Sequence, residues 1–294
     1  MGVEQEWIKN ITDMYQSPEL IPSHASNLLH QLKREKRNEK LKKALEIITP
    51  NYISYISILL NNHNMTRKEI VILVDALNEY MNTLRHPSVK SVFSHQADFY
   101  SSVLPEFFNL LFRNLIKGLN EKIKVNSQKD IIIDCIFDPY NEGRVVFKKK
   151  RVDVAIILKN KFVFNNVEIS DFAIPLVAIE IKTNLDKNML SGIEQSVDSL
   201  KETFPLCLYY CITELADFAI EKQNYASTHI DEVFILRKQK RGPVRRGTPL
   251  EVVHADLILE VVEQVGEHLS KFKDPIKTLK ARMTEGYLIK GKGK

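Results

Sequence analysis

Long apolar runs are missing from this chain, and none approaches the roughly 20 residues that a membrane-crossing helix needs. Cysteine is scarce as well: Cys135, Cys207 and Cys211 are the only three in 294 residues, an odd number that does not suit a disulfide framework. No second cysteine pair and no histidine at ligand spacing accompanies Cys207 and Cys211, which argues against a zinc site. A phosphate-cradling glycine loop is also absent, so nucleotide hydrolysis is not expected. The opening MGVEQEWIKN lacks the basic region, apolar stretch and small-residue cleavage site of a secretory leader, and the expectation is a cytoplasmic protein with no membrane partner. Neither sign of charge dominates: 42 Lys+Arg against 37 Asp+Glu give +5, too little to name a polyanionic partner on its own.

What is present is enough apolar side chain, 44% of residues, to bury a full core. Residues 1–127 read as mainly helical. Thr66 followed three positions later by Glu69 is a capping box, and Ile70, Leu73, Val74, Leu77, Met81 and Leu84 recur behind it at helical spacing. Pro105 suits the first turn of another helix, predicted over about 105–124 with Phe108, Leu111, Leu115 and Leu119 on one side.

From Asp130 the texture changes to short β-branched runs. Strands are predicted over Ile131–Phe137, Val145–Leu158 and Leu176–Lys182, with turn chemistry at 138–143 and an irregular stretch at 159–174. A helix over Leu190–Thr203, a strand over Leu206–Ile212, a helix over Leu215–Tyr225, a strand over Val233–Leu236 and a helix over Leu250–Phe272 follow. Gly291 to Lys294 read as a loose tail. The expected class is α/β, a mixed sheet covered on both faces over 128–294, with the helical region before it.

Two strands that otherwise read as buried are interrupted by charge. Asp153 lies inside Val152-Asp153-Val154-Ala155-Ile156-Ile157, and Glu180 and Lys182 lie inside Ala178-Ile179-Glu180-Ile181-Lys182-Thr183. Strand side chains alternate, so Glu180 and Lys182 share a face, and Asp153 joins them if the strands are neighbours. Two close carboxylates repel unless a cation sits between them, and hard oxygen donors suit Mg²⁺. A lysine beside such a pair can orient a water for attack on phosphorus. The plain alternative is a strand-edge acid and a solvated cross-strand ion pair.

The element order and the Asp153, Glu180-Ile181-Lys182 arrangement resemble the PD-(D/E)XK nuclease superfamily over roughly residues 105 to 212. The run Glu180-Ile181-Lys182-Thr183-Asn184-Leu185-Asp186-Lys187-Asn188-Met189 is similar to one in a group of type II restriction enzymes that cut short, asymmetric, nearly palindromic sites, some of them as two different subunits. The resemblance implies a sequence-specific, Mg²⁺-dependent endonuclease leaving 5′-phosphate and 3′-hydroxyl ends. In it Asp153 and Glu180 bind the metal, the Ile181 carbonyl joins them, and Lys182 serves the attacking water. It also implies double-stranded DNA as substrate, a homodimer or a homologous second subunit, and a cognate DNA methyltransferase as functional partner. The chain departs from the pattern in having Val152 where proline is common, and in a long gap from Asp153 to Glu180 that leaves Glu168 or Asp171 as a competing acid. A further carboxylate from the preceding helix, Glu106 or Glu121, sometimes joins such sites.

Candidate DNA contacts fall in two basic clusters. One is Lys148-Lys149-Lys150-Arg151, running into the Asp153 strand; the other is Arg237 to Gly247, with Arg241, Arg245 and Arg246, read as an exposed loop. Lys187 is added from the matched run. A repair or recombination nuclease that reads DNA structure, and a DNA-binding subunit without chemistry, are the rival readings.

Overall fold

A computed structural model describes residues 2–15, 17, 20–93, 97–138, 140, 144–164 and 167–286. Helices α1 (Val3–Met14), α2 (Ser23–Lys33), α3 (Glu39–Asn61), α4 (Arg67–Arg85), α5 (Pro87–Phe93), α6 (Ala97–Ser101) and α7 (Val103–Leu115) come first. The capping box forms as read: Thr66 Oγ1 accepts from the Glu69 N–H, Glu69 returns to the Thr66 N–H, and one side of α4 is buried. The helix predicted over 105–124 stops at Leu115 instead. Gly118, at φ 82°, takes the left-handed conformation in the turns that follow, where glycine bears no steric cost.

The sheet runs β1 (Ile123–Asp138), β2 (Arg144–Phe164), β3 (Val167–Leu185), β4 (Leu208–Ala216) and β5 (Glu232–Ile235), adjacent in chain order. β1, β2 and β3 pair antiparallel, while β3, β4 and β5 pair parallel. Helix α8 (Lys187–Thr203) makes the β3-to-β4 crossover that a parallel pair requires. Helices α9 (Arg241–Arg245), α10 (Ala255–Ser270) and α11 (Pro275–Thr284) close the described chain. Val154, Ile156, Val177, Ile179 and Ile212 pack on one sheet face with Phe107, Phe108, Val261 and Val265 of α7 and α10, in a core continuous with the N-terminal helices. Ala155, Ile157, Ala178 and Tyr209 pack on the other face with Leu190, Ile193, Val197 and Leu200 of α8. β3 is therefore covered on both sides, and burying one isoleucine such as Ile179 stabilises by about 1.5–3 kcal/mol.

Several predicted boundaries move, for physical reasons. β1 starts at Ile123, eight residues ahead of Ile131, because its polar first half is held by the ladder to the apolar stretch of β2, with Val125 opposite Ile156. The stretch read as irregular, 159–174, is the distal part of the β2–β3 hairpin, with Val163 paired to Glu168. Pro175 lies inside β3, and the ladder shifts register opposite it, where its missing N–H leaves a gap. The helix expected over 215–225 does not form: Leu215 and Ala216 extend β4 beside Asn184 and Leu185, and one short turn at Ile220–Lys222 follows. The last long helix starts at Ala255, not Leu250, because Val253 exchanges hydrogen bonds with the Asn78 side chain at 2.8 and 3.0 Å. Residues 139, 141–143 and the 291–294 tail lie outside the described residues.

Candidate active site

Asp153 enters the site from β2, and Glu180 and Lys182 from β3. The β2–β3 ladder ends at Val154 opposite Ile179; one step on, the Asp153 carboxylate takes the place of a ladder bond, Oδ2 accepting from the Ile181 N–H at 2.8 Å. Its Oδ1 accepts from Gln128 Nε2 on β1 at 3.1 Å. Lys182 Nζ lies 2.8 Å from Glu180 Oε1 and 3.6 Å from Asp153 Oδ2, so the three charges expected from sequence stand together. Partial burial pulls the Lys182 ammonium down, but Glu180 and Asp153 outweigh it and hold its pKa above the ordinary value. It is a charged donor here. Glu180 is 9% exposed, over the buried Cys211 of β4, whose thiol burial and then Glu180 push up to about 12, leaving it inert.

Gln128 has a part that no sequence pattern announced. Its φ is 52°, and it stands opposite Asp153, between the pairs Ser127–Val154 and Lys129–Val152. Across this irregularity the alternation of β2 breaks, since Val152 and Ala155 both pack on the α8 face. The break brings Lys150 to the acids as well, its Nζ 3.7 Å from Glu180 Oε2.

A cleft of about 720 Å³ opens above Asp153 and Lys182. Its walls include Asn27 of α2, Pro105 of α7, Met189 of α8 and Arg241 of α9, so the helical region lines the site together with the sheet. The predicted DNA contacts scatter around it. Lys148 and Lys187 are exposed, Lys187 at the first position of α8, where Asp186 caps the helix through the Met189 N–H at 2.8 Å. Arg151 turns to Asp130, at 2.8 and 3.2 Å. Arg241 and Arg245 lie on α9 with Nη atoms 3.0 and 3.8 Å from Asp217, and Arg246 is exposed beside them. The second cluster is thus no plain loop: part of it is helical, and its first member, Arg237, is 2% exposed.

Of the competing acids, Glu168 pairs with Lys161 at 2.9 Å on the distal hairpin, Glu121 is exposed in a turn, and the Asp171 side chain lies outside the described residues. Glu106 points into the helical core. Its oxygens accept from the Ala25 N–H at 2.8 Å and the Tyr52 hydroxyl at 2.9 Å, and burial raises its pKa to about 8. A carboxyl whose pKa rises on folding contributes stability at low pH that is lost as pH climbs from the ordinary carboxylate range through about 8. The nearby buried His24 works oppositely, its pKa lowered by burial to about 3, so its contribution is lost below the ordinary histidine range. The two slopes offset each other in mildly acidic solution. Glu106→Gln, a mimic of the protonated acid, is expected to melt above the wild type at pH 8 by on the order of 1–2 kcal/mol and to match it near pH 5, as thermal unfolding at both pH values will show. Equal unfolding profiles would mean that Glu106 is ionised in the folded protein.

The donor set fits a hard divalent cation. Glu180 Oε2 is buried and accepts no hydrogen bond among the described residues, which leaves a lone pair facing the cluster. Two carboxylates and a main-chain carbonyl leave further positions to water and phosphate, as Mg²⁺ prefers. Among the described residues no group of three or more His, Cys, Asp or Glu is gathered, so a softer all-protein cage is not offered.

A solved structure described as the native BbvCI A2B2 tetramer at low resolution superposes with a TM-score of 0.66 at 25% identity, over 86% of this chain and 96% of that one. A search of curated proteins finds no match. The family model for the Bpu10I restriction endonuclease matches residues 96–248, which hold α6 to α9, β1 to β5 and every acid and lysine of the cluster. A match over more than half its length places this chain in the Bpu10I restriction endonuclease family.

Proposed function

We propose that this type II restriction endonuclease hydrolyses DNA phosphodiesters with Mg²⁺ at Asp153 and Glu180, assisted by the Ile181 carbonyl, and that Lys182 orients the attacking water. The observation that carries the proposal is the pair of carboxylates sharing the Lys182 ammonium at 2.8 and 3.6 Å, with one buried Glu180 oxygen accepting no hydrogen bond among the described residues. A bound Mg²⁺ would supply positive charge against the scissile phosphate and acidify a water at neutral pH. The chain's own residues do the positioning. Gln128 and the Ile181 N–H fix both Asp153 oxygens, and the buried strands behind them keep the carboxylates in place as the phosphate approaches. Lys182, held protonated, donates toward a water or a phosphate oxygen and balances charge that builds up in the transition state. The products are 5′-phosphate and 3′-hydroxyl ends.

One such centre cuts one strand, and the strands of a duplex run antiparallel. A double-strand break therefore takes a second centre, from another copy or from a homologous subunit; the A2B2 assembly of BbvCI favours the latter. Lys148, Arg151, Lys187, Arg241, Arg245 and Arg246 supply phosphate contacts around the cleft, and a cognate methyltransferase protects the host's own sites in the cytoplasm. Among the described residues no helix is long and apolar enough to cross a membrane. Supercoiled plasmid incubated with the purified chain in Mg²⁺, alone and with the product of a neighbouring homologous gene, tests the reading. Nicking at fixed positions by the chain alone, and discrete linear fragments with its partner, are the expected products. Sequence-independent degradation, or no Mg²⁺-dependent cutting in either case, would contradict it.

A further inference from the structure

Lys150 differs from the basic residues around it. Lys148 is exposed and Arg151 is committed to Asp130, whereas the Lys150 side chain is only 20% exposed and places Nζ 3.7 Å from Glu180 Oε2. That oxygen is the buried one without a hydrogen bond among the described residues, while Lys182 holds the other at 2.8 Å. The break of alternation opposite Gln128 is what lets a residue three positions before Asp153 share its face. Two carboxylates thus face two ammonium groups, and the four charges cancel. A divalent cation entering this balanced cluster alone meets two cations at close range. A cation that enters together with a DNA phosphate does not, because the phosphate offsets the added charge and offers an ammonium somewhere else to go.

From this geometry we infer that Lys150 couples metal binding to DNA binding. In the DNA-free enzyme it covers the Glu180 oxygen that the metal needs, and on the complex its flexible four-carbon stem carries the ammonium over to the DNA backbone. Metal occupancy, and with it cleavage competence, is then low until DNA is in the cleft. The inference rests on the assignment of Glu180 as a metal ligand.

Its test counts bound Mn²⁺ by electron paramagnetic resonance in the DNA-free protein, and measures duplex affinity by fluorescence anisotropy in Ca²⁺ and in EDTA. Lys150→Met is expected to bind Mn²⁺ without DNA ~10-fold or more tightly than the wild type, the scale on which one close unit charge shifts an ionic equilibrium. By reciprocity, the gain in DNA affinity on adding Ca²⁺ shrinks by a similar factor. Lys150→Gln should behave like Lys150→Met, and Lys150→Arg, which keeps the charge, like the wild type. Equal or weaker Mn²⁺ binding by both neutral variants, or loss of coupling in Lys150→Arg, would overturn the inference. Glu180→Gln separates the two levels: if it removes Mn²⁺ binding while the Lys150 variants match the wild type, only the role of Lys150 fails, and if it binds Mn²⁺ normally, the metal-site assignment itself fails.

Discussion

Asp153→Asn is expected to cut single-turnover DNA cleavage in Mg²⁺ by on the order of 10³-fold, about 4 kcal/mol of barrier, while duplex binding in EDTA is kept or strengthened. The substitution is isosteric, and the remaining side-chain oxygen can still accept the Ile181 N–H that Asp153 Oδ2 accepts at 2.8 Å, so the strand geometry survives. What is lost is the negative charge. Removing it lowers the cation affinity of the cluster, and also the repulsion a phosphate meets there, which is why binding and cleavage should move apart. Glu180→Gln should lose a similar factor, and the double variant little more than either single one, because the two acids act as a unit. Parallel losses of cleavage and binding would point instead to misfolding or to a DNA-contact role. Wild-type cleavage by Asp153→Asn would remove Asp153 from the chemistry altogether.

Arg237→Ala should destabilise the fold by about 3 kcal/mol, the lower end of the range for breaking a buried ion pair. Arg237 is 2% exposed; its Nε donates to Glu214 Oε2 at 2.8 Å, one Nη to the Glu251 carbonyl, and the other reaches Met81 Sδ at 3.6 Å. It ties β4 to α4 and to the segment before α10. The low end applies because Glu214 keeps a second partner, Arg85 at 2.7 Å, whose side chain is 30% exposed. Burial depresses the Arg237 guanidinium and Glu214 raises it again, so the pair is mutually dependent. Chemical denaturation measures the loss, and the double variant Arg237→Met, Glu214→Leu should recover part of it, since the fully buried pair is then gone and the charge left without its carboxylate is the part-exposed Arg85. A loss under 1 kcal/mol for Arg237→Ala would show that solvent reaches this pair.

The fate of Arg237 shows where reading from the chain alone succeeds and where it stops. Asp153, Glu180 and Lys182 were legible because charge inside an apolar strand needs a reason, and period-two alternation puts Glu180 and Lys182 on one face whatever the tertiary structure does. The core helices and the β3–α8–β4 crossover were legible for the same kind of reason, their apolar periods being long and regular. The basic run from Arg237 reads as an exposed loop available to DNA because burial of an arginine depends on Glu214, 23 residues away, and no local pattern carries that. The β2–β3 hairpin was missed because Lys159, Asn160 and Lys161 look like loop, while their strand state is imposed by pairing across the ladder. Leu215 and Ala216 have the composition of a helix start, but Asn184 and Leu185 recruit them into the sheet. Lys150 reads with its basic neighbours as a DNA contact because the break in alternation opposite Gln128 is a backbone event, a positive φ at a residue type that seldom adopts one.

A crystal of the protein with DNA, grown in Mn²⁺ under conditions that prevent cleavage, tests the central claim most directly through anomalous scattering. The account predicts a manganese peak held by carboxylate oxygens of Asp153 and Glu180, with a backbone phosphate on its open side and Lys182 facing the same phosphate. A peak bound elsewhere in the chain, or a duplex seated away from this cleft, would contradict it.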